Sequence, residues 1–190
     1  MARPAPVRQA LCAGLAGAGL VLVPMAAQTA DLGREAELPA HRLLMEVIAA
    51  NPEPAPFTTD GCSGGLSAGW GLVAAGFPEF GVRHESRPPW EDCCTVHDRA
   101  YHVAGGARTA EQSWAARLAA DEALRLCVLD TGTTRRAALA QSYGVTEDRV
   151  EAAYAAIAEA IFAAVRLGGA PCSGLSWRWG YGFPNCLRLP

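Results

Sequence analysis

The stretch "WEDCCTVHDRAYHVAGG", residues 90–106, sets two adjacent cysteines ahead of a His-Asp pair and a tyrosine one helical turn beyond. It predicts a helix that starts near Pro89 or Trp90 and stops at Gly105-Gly106. Glu91 and Asp92 fall in the first turn, where the helix dipole favours acids. On such a helix Cys93, His97 and Tyr101 share one face, while Cys94 and Asp98 share the next, about 100° round. Neighbouring helical positions give an imidazole and a carboxylate poor mutual geometry, so His97 and Asp98 each need a partner from elsewhere.

A second predicted helix supplies one. It runs from Thr109, a good N-cap, to about Asp130, with Trp114, Leu118, Asp121, Arg125 and Val128 along one stripe. Asp121 is a charge on an otherwise apolar stripe and a natural partner for His97. A carboxylate on one imidazole nitrogen fixes the tautomer and leaves the other nitrogen as a general base. Arg125 reads as structural, pairing with a carboxylate or snorkelling to solvent. Asp98 is then left for a cation. Calcium wants six to eight oxygens, so a glycine-rich loop has to add backbone carbonyls. "TTDGCSGG", residues 58–65, is such a loop, and Cys62 offers a tie to the helix.

The first thirty residues carry Arg3 and Arg8 and no acid, and the chain is uncharged from Gln9 to Ala30. A basic start, an apolar run and small residues before a cleavage point are the layout of a secretory signal peptide. A retained membrane anchor is the rival reading, disfavoured by the Gly and Ala content, by Pro24, and by Gln28 and Thr29 at the end. Both place the rest outside the cytosol: secreted or periplasmic after cleavage, or anchored and facing outward. Loss of Arg3 and Arg8 leaves fourteen of the sixteen basic residues against nineteen acids, a balance that gives no sign of a nucleic-acid partner. Six cysteines follow the leader, Cys62, Cys93, Cys94, Cys127, Cys172 and Cys186. An even number in an exported chain predicts disulfides, with many pairings open. A zinc site of Cys93, Cys94 and His97 would lack the separated ligand pairs that structural zinc prefers.

From Leu38 to Ala50, Leu43, Leu44, Val47 and Ile48 recur at helical spacing, and Pro52, Pro54 and Pro56 form a stiff connector. Residues 57–92 are rich in Gly, Pro and Ser without a sustained period and read as ordered loop. A weaker helix is expected over Arg135–Ser142, and Thr146 caps another, with Val150, Tyr154, Ile157, Ile161 and Val165 on its buried face. The tail between Cys172 and Cys186 carries Trp177, Trp179, Tyr181 and Phe183, which suit either a lipid-facing rim or a small core. The expected organisation is a leader (1–30), an N-terminal helix with its connector (31–56), and one all-α, disulfide-stapled domain (57–190).

Cys-Cys-x-x-His-Asp-x-x-Tyr resembles the active-site helix of the secreted phospholipase A2 superfamily, and Asp-Gly-Cys-Ser resembles the calcium loop of its divergent, bacterial-type members. The resemblance covers roughly residues 58–127, and in both the orienting aspartate is followed six residues later by a cysteine, here Asp121 and Cys127. Two cysteines that the family bonds to each other are both absent, at Ala100 and Ala120. After Cys62 the family's loop has glycines one, three and four places on, where this chain has Ser63, Gly65 and Leu66. The resemblance implies antiparallel active-site helices beside a calcium loop, with disulfides Cys62–Cys94 and Cys93–Cys127, which leaves Cys172 with Cys186. It further implies calcium held by Asp98 and the carbonyls of Gly61, Ser63 and Gly65, with His97 as base, Asp121 orienting it and Tyr101 bracing Asp121. The expected activity is hydrolysis of the sn-2 ester of glycerophospholipids at a membrane surface or micelle. The alternatives are a non-catalytic binding or toxin-like module on the same scaffold, or a membrane-anchored structural protein of the envelope.

Overall fold

The computed structural model describes residues 25–62 and 66–186, with side chains from residue 33 onward. Among these residues the regular structure is helical: α1 (Met25–Ala50), α2 (Leu66–Gly76), α3 (Pro78–His84), α4 (Glu91–His102), a 3-10 turn (Ala104–Gly106), α5 (Ala110–Tyr143) and α6 (Glu147–Gly168). None of the described helices is long and apolar enough to cross a membrane. Residues 1–24, most of the expected leader, lie outside the described residues, and residues 25–30 belong to α1.

Three expectations need correction. The N-terminal helix begins at Met25 rather than Leu38 and runs through Pro39, because alanine, glutamate and leucine keep the preceding residues helical. It buries Leu38, His41, Leu44 and Val47, whereas Leu43 stays exposed. Residues 57–92 contain two helices rather than an unbroken loop. Neither α2 nor α3 buries a residue, so neither needs the apolar period by which helices are read. Pro78 opens α3 at a position that lacks an intrahelical partner for its N–H. The predicted helices ending at Asp130 and starting at Arg135 are one helix of 34 residues. The Thr-Gly-Thr-Thr run at 131–134 does not break it, since the hydroxyls of Thr131, Thr133 and Thr134 donate to carbonyls one turn back. Gly132 serves close approach instead, because a Cβ there would lie 2.5 Å from the Tyr154 side chain on α6.

The predicted caps are present. Thr109 Oγ1 accepts from the Gln112 amide at 3.2 Å, Thr146 Oγ1 accepts from the Arg149 amide at 3.4 Å, and Gly144 closes α5 in the left-handed region. Glu91 and Asp92 occupy the first turn of α4. Two cores result. One gathers Trp90, Leu124, Val128, Val150, Tyr154 and Ala158 between α4, α5 and α6. The other joins Leu44 and Val47 of α1 to Tyr101, Trp179 and Phe183. Full burial of an apolar side chain such as Leu44 or Val128 is worth about 1.5–3 kcal/mol. The aromatic tail is thus divided: Trp179 and Phe183 are core, while Trp177 and Tyr181 are partly exposed.

Three disulfides fasten the fold: Cys62–Cys94, Cys93–Cys127 and Cys172–Cys186. The adjacent thiols of α4 therefore pull in two directions, one toward the loop before α2 and the other toward α5.

Candidate active site

Because 93, 97 and 101 stand one turn apart, the half-turn of α4 that the cysteines anchor carries His97 and Tyr101 toward α5. Asp121 on α5 is fully buried and faces them. His97 Nε2 donates to Asp121 Oδ1 at 2.9 Å, and the Tyr101 hydroxyl donates to the same oxygen at 2.7 Å. An ionised carboxylate only accepts, so the proton sits on Nε2 and Nδ1 carries the lone pair. Burial works against charge on the imidazole, but Asp121 and, further off, Asp98 outweigh it and raise the His97 pKa above its ordinary value. Burial likewise drives the Tyr101 phenol far upward, so it remains a donor at any working pH.

Nδ1 lies 4.0 Å from Asp98 Oδ1, too far for a hydrogen bond, as expected of adjacent helical residues. His97 and Asp98 both line a cavity of about 340 Å³, whose other walls include Leu66, Leu124, Ile161, Val165 and Trp177. A buried base with one free nitrogen facing an apolar chamber can activate a water against a substrate that has a hydrocarbon portion.

Asp98 also lines a second cavity of about 250 Å³ with Thr58, Thr59, Asp60 and Tyr181. Asp98 is not left over for a cation alone, since the Thr59 hydroxyl donates to Oδ2 at 2.5 Å. The same Thr59 oxygen accepts from the Gly61 amide at 3.1 Å, which ties the loop to α4 beside the Cys62–Cys94 bond. Gly61 has φ +77°, a left-handed backbone that favours glycine. Ser63 and Gly65, two of the expected carbonyl ligands, lie outside the described residues. The described residues hold no cluster of three or more His, Cys, Asp or Glu side chains suited to a metal. What does meet here is a set of oxygens, with two carboxylates on one cavity, and burial and the charges of Asp98 and Asp60 push the Tyr181 phenol to about 12. Hard oxygen donors of this kind suit calcium and do not suit zinc.

Several residues at the site escaped the sequence reading. Arg117 is fully buried one turn before Asp121, and its Nε donates to the Tyr101 oxygen at 3.2 Å. Arg166 on α6 donates from Nη1 to Asp121 Oδ2 at 3.0 Å. Glu37 on α1 accepts from both arginines. The available signal was the four-residue repeat Ser113, Arg117, Asp121, all buried, which lies one residue away from the Trp114 and Leu118 stripe. Arg125, which that stripe did include, pairs with Glu122 and Glu159 at the surface, in line with its structural reading. Asp60 was part of the quoted loop without being singled out as a ligand.

Comparison of the chain with protein-family models, curated proteins and solved structures finds no match in any of the three.

Proposed function

We propose that the protein is an exported, calcium-dependent phospholipase A2 that hydrolyses the sn-2 ester of glycerophospholipids presented in a membrane surface or micelle. The observation that carries this reading is the chain from the Tyr101 hydroxyl through Asp121 to His97, with His97 lining an apolar cavity. In the reaction Nδ1 of His97 takes a proton from a water whose oxygen attacks the sn-2 carbonyl carbon. Asp121 holds the Nε2 proton in place and its charge stabilises the imidazolium as it forms. When the tetrahedral species collapses, His97 returns the proton to the departing glycerol oxygen, leaving a fatty acid and a lysophospholipid. Leu66, Leu124, Ile161 and Val165 give an acyl chain apolar contact and keep bulk water away.

Asp98, Asp60 and the backbone oxygens of Gly61, Ser63 and Gly65 are the groups that would hold calcium. When bound there, calcium supplies positive charge to the substrate's carbonyl and phosphate oxygens. The three disulfides suit an oxidising compartment, which supports export.

The test is release of fatty acid from phospholipid labelled at sn-2 by the purified, oxidised protein, with calcium and with a chelator. Release is expected only with calcium, and His97→Gln is expected to lower its rate by about 10²–10⁴. No release from the oxidised wild type would end the enzymatic reading in favour of a phospholipase-A2-like binding module.

A further inference from the structure

Behind the dyad lies a set of buried and half-buried charges that the catalytic steps above leave unexplained. Glu37 comes from α1, yet it bridges the two arginines that approach Asp121. Its Oε2 accepts from Arg117 Nη1 at 2.5 Å, and its Oε1 accepts from Arg166 Nη2 at 2.6 Å. The same guanidiniums reach forward: Arg166 Nη1 donates to Asp121 Oδ2 at 3.0 Å, and Arg117 Nε stands 3.9 Å from that oxygen. Arg117 has no route to solvent, because its Nη2 donates to the Val165 and Arg166 carbonyls at 2.8 Å each. Two carboxylates thus face two guanidiniums.

Glu37 is itself held in place. His41, fully buried, has Nε2 3.7 Å from Glu37 Oε2 and Nδ1 2.8 Å from Ser113 Oγ. That serine oxygen also accepts from the Trp179 indole at 2.9 Å, while His41 Nε2 has no hydrogen-bond partner.

We propose that Glu37 is a positioning residue for the reaction, balancing Arg117 and Arg166 so that Asp121 serves His97. The kinetic part of this inference rests on the phospholipase reading. Without Glu37 two guanidiniums have one carboxylate to share, and Asp121 is drawn toward them and away from Nε2. The uncompensated positive charge also opposes the imidazolium that forms when water gives up its proton. Both effects fall on the chemical step. Glu37 lines neither cavity, so capture of substrate is untouched.

The experiment uses the full oxidised chain as wild type, Glu37→Gln, Glu37→Asp and the double variant Glu37→Gln/Arg166→Gln. Each is assayed on sn-2-labelled phospholipid micelles at saturating calcium, and the His97 ring is followed by nitrogen-15 NMR. Glu37→Gln is expected to lower kcat at least tenfold with KM within twofold, and to shift the Nε2–H resonance. Removing Arg166 as well restores one guanidinium to one carboxylate and is expected to recover a large part of the lost kcat. A purely structural role predicts instead that the second substitution deepens the loss, and that result would overturn the proposal. So would an unchanged kcat with an unchanged ring resonance in Glu37→Gln. If Glu37→Gln does not fold, Glu37→Asp takes its place: its shorter reach should cost kcat threefold or more, and wild-type behaviour would overturn the idea. A wild type that releases no fatty acid sinks the phospholipase reading alone. The ring resonance then decides the positioning role, a shift supporting it and no shift overturning it.

Discussion

At Asp121 a single carboxylate meets charged or polar groups from three helices: His97 and Tyr101 from α4, Arg117 from α5 itself, and Arg166 from α6. Its partner in charge, Glu37, has a measurable signature of its own. Burial alone would raise the Glu37 pKa, but His41, Arg117 and Arg166 together lower it from 4.5 to about 2. A carboxylate depressed in this way contributes stability that is complete above its unfolded value and is lost as the pH falls toward the folded one. Between pH 4.5 and about 2 the wild type should therefore lose stability more steeply than Glu37→Gln, as read from denaturant midpoints at successive pH values. His97 and Tyr101 were legible together because four-residue spacing on a helix leaves little freedom, and Asp121 because it is a charge on an otherwise apolar stripe. Arg117 was hidden by a stripe set one residue off, and Glu37 by distance, since nothing local marks a glutamate that will neutralise an arginine 80 positions later.

Elements were legible where they bury a face. Tyr154 and Val150 announced α6, and the caps at Thr109 and Thr146 were visible as residue types. The α2 and α3 helices were not, because no residue of theirs is fully buried; Leu72 and Val82 remain exposed on them. Gly132 runs against the usual rule, by which a helix interior gains about 1 kcal/mol when alanine replaces glycine. Here the added methyl would meet the Tyr154 Cβ and Cγ at 2.5 Å, between helices that cannot separate without opening the first core. Gly132→Ala is accordingly expected to destabilise by about 1–3 kcal/mol in chemical denaturation, the opposite sign to an exposed helix site. A stabilised variant would show that α5 and α6 are less closely packed than this.

Across the whole molecule, α4 is the seam. Its cysteines belong to the first core and Tyr101 to the second, so neither core can open without disturbing the line from His97 to Asp121. The three disulfides should then differ in kind. Replacing Cys93 and Cys127 by alanine removes a crosslink across 34 positions and is expected to cost about 2–5 kcal/mol of stability. Replacing Cys62 and Cys94 frees the loop that carries Asp60 and Gly61, so the proposed calcium-dependent activity should fall further than the melting temperature alone would suggest. Paired melts and assays of the two double variants separate these outcomes. The unbroken α5 has a last consequence, for the paths by which such a chain can diverge. Arg117, Asp121 and Cys127 ride on one rigid helix, each meeting a different neighbour. Inserting a single residue among them would turn everything beyond it by about 100° and slide it about 1.5 Å. Asp121 and His97, or Cys127 and Cys93, would then lose their register, so this interval can accept new letters but not a new length.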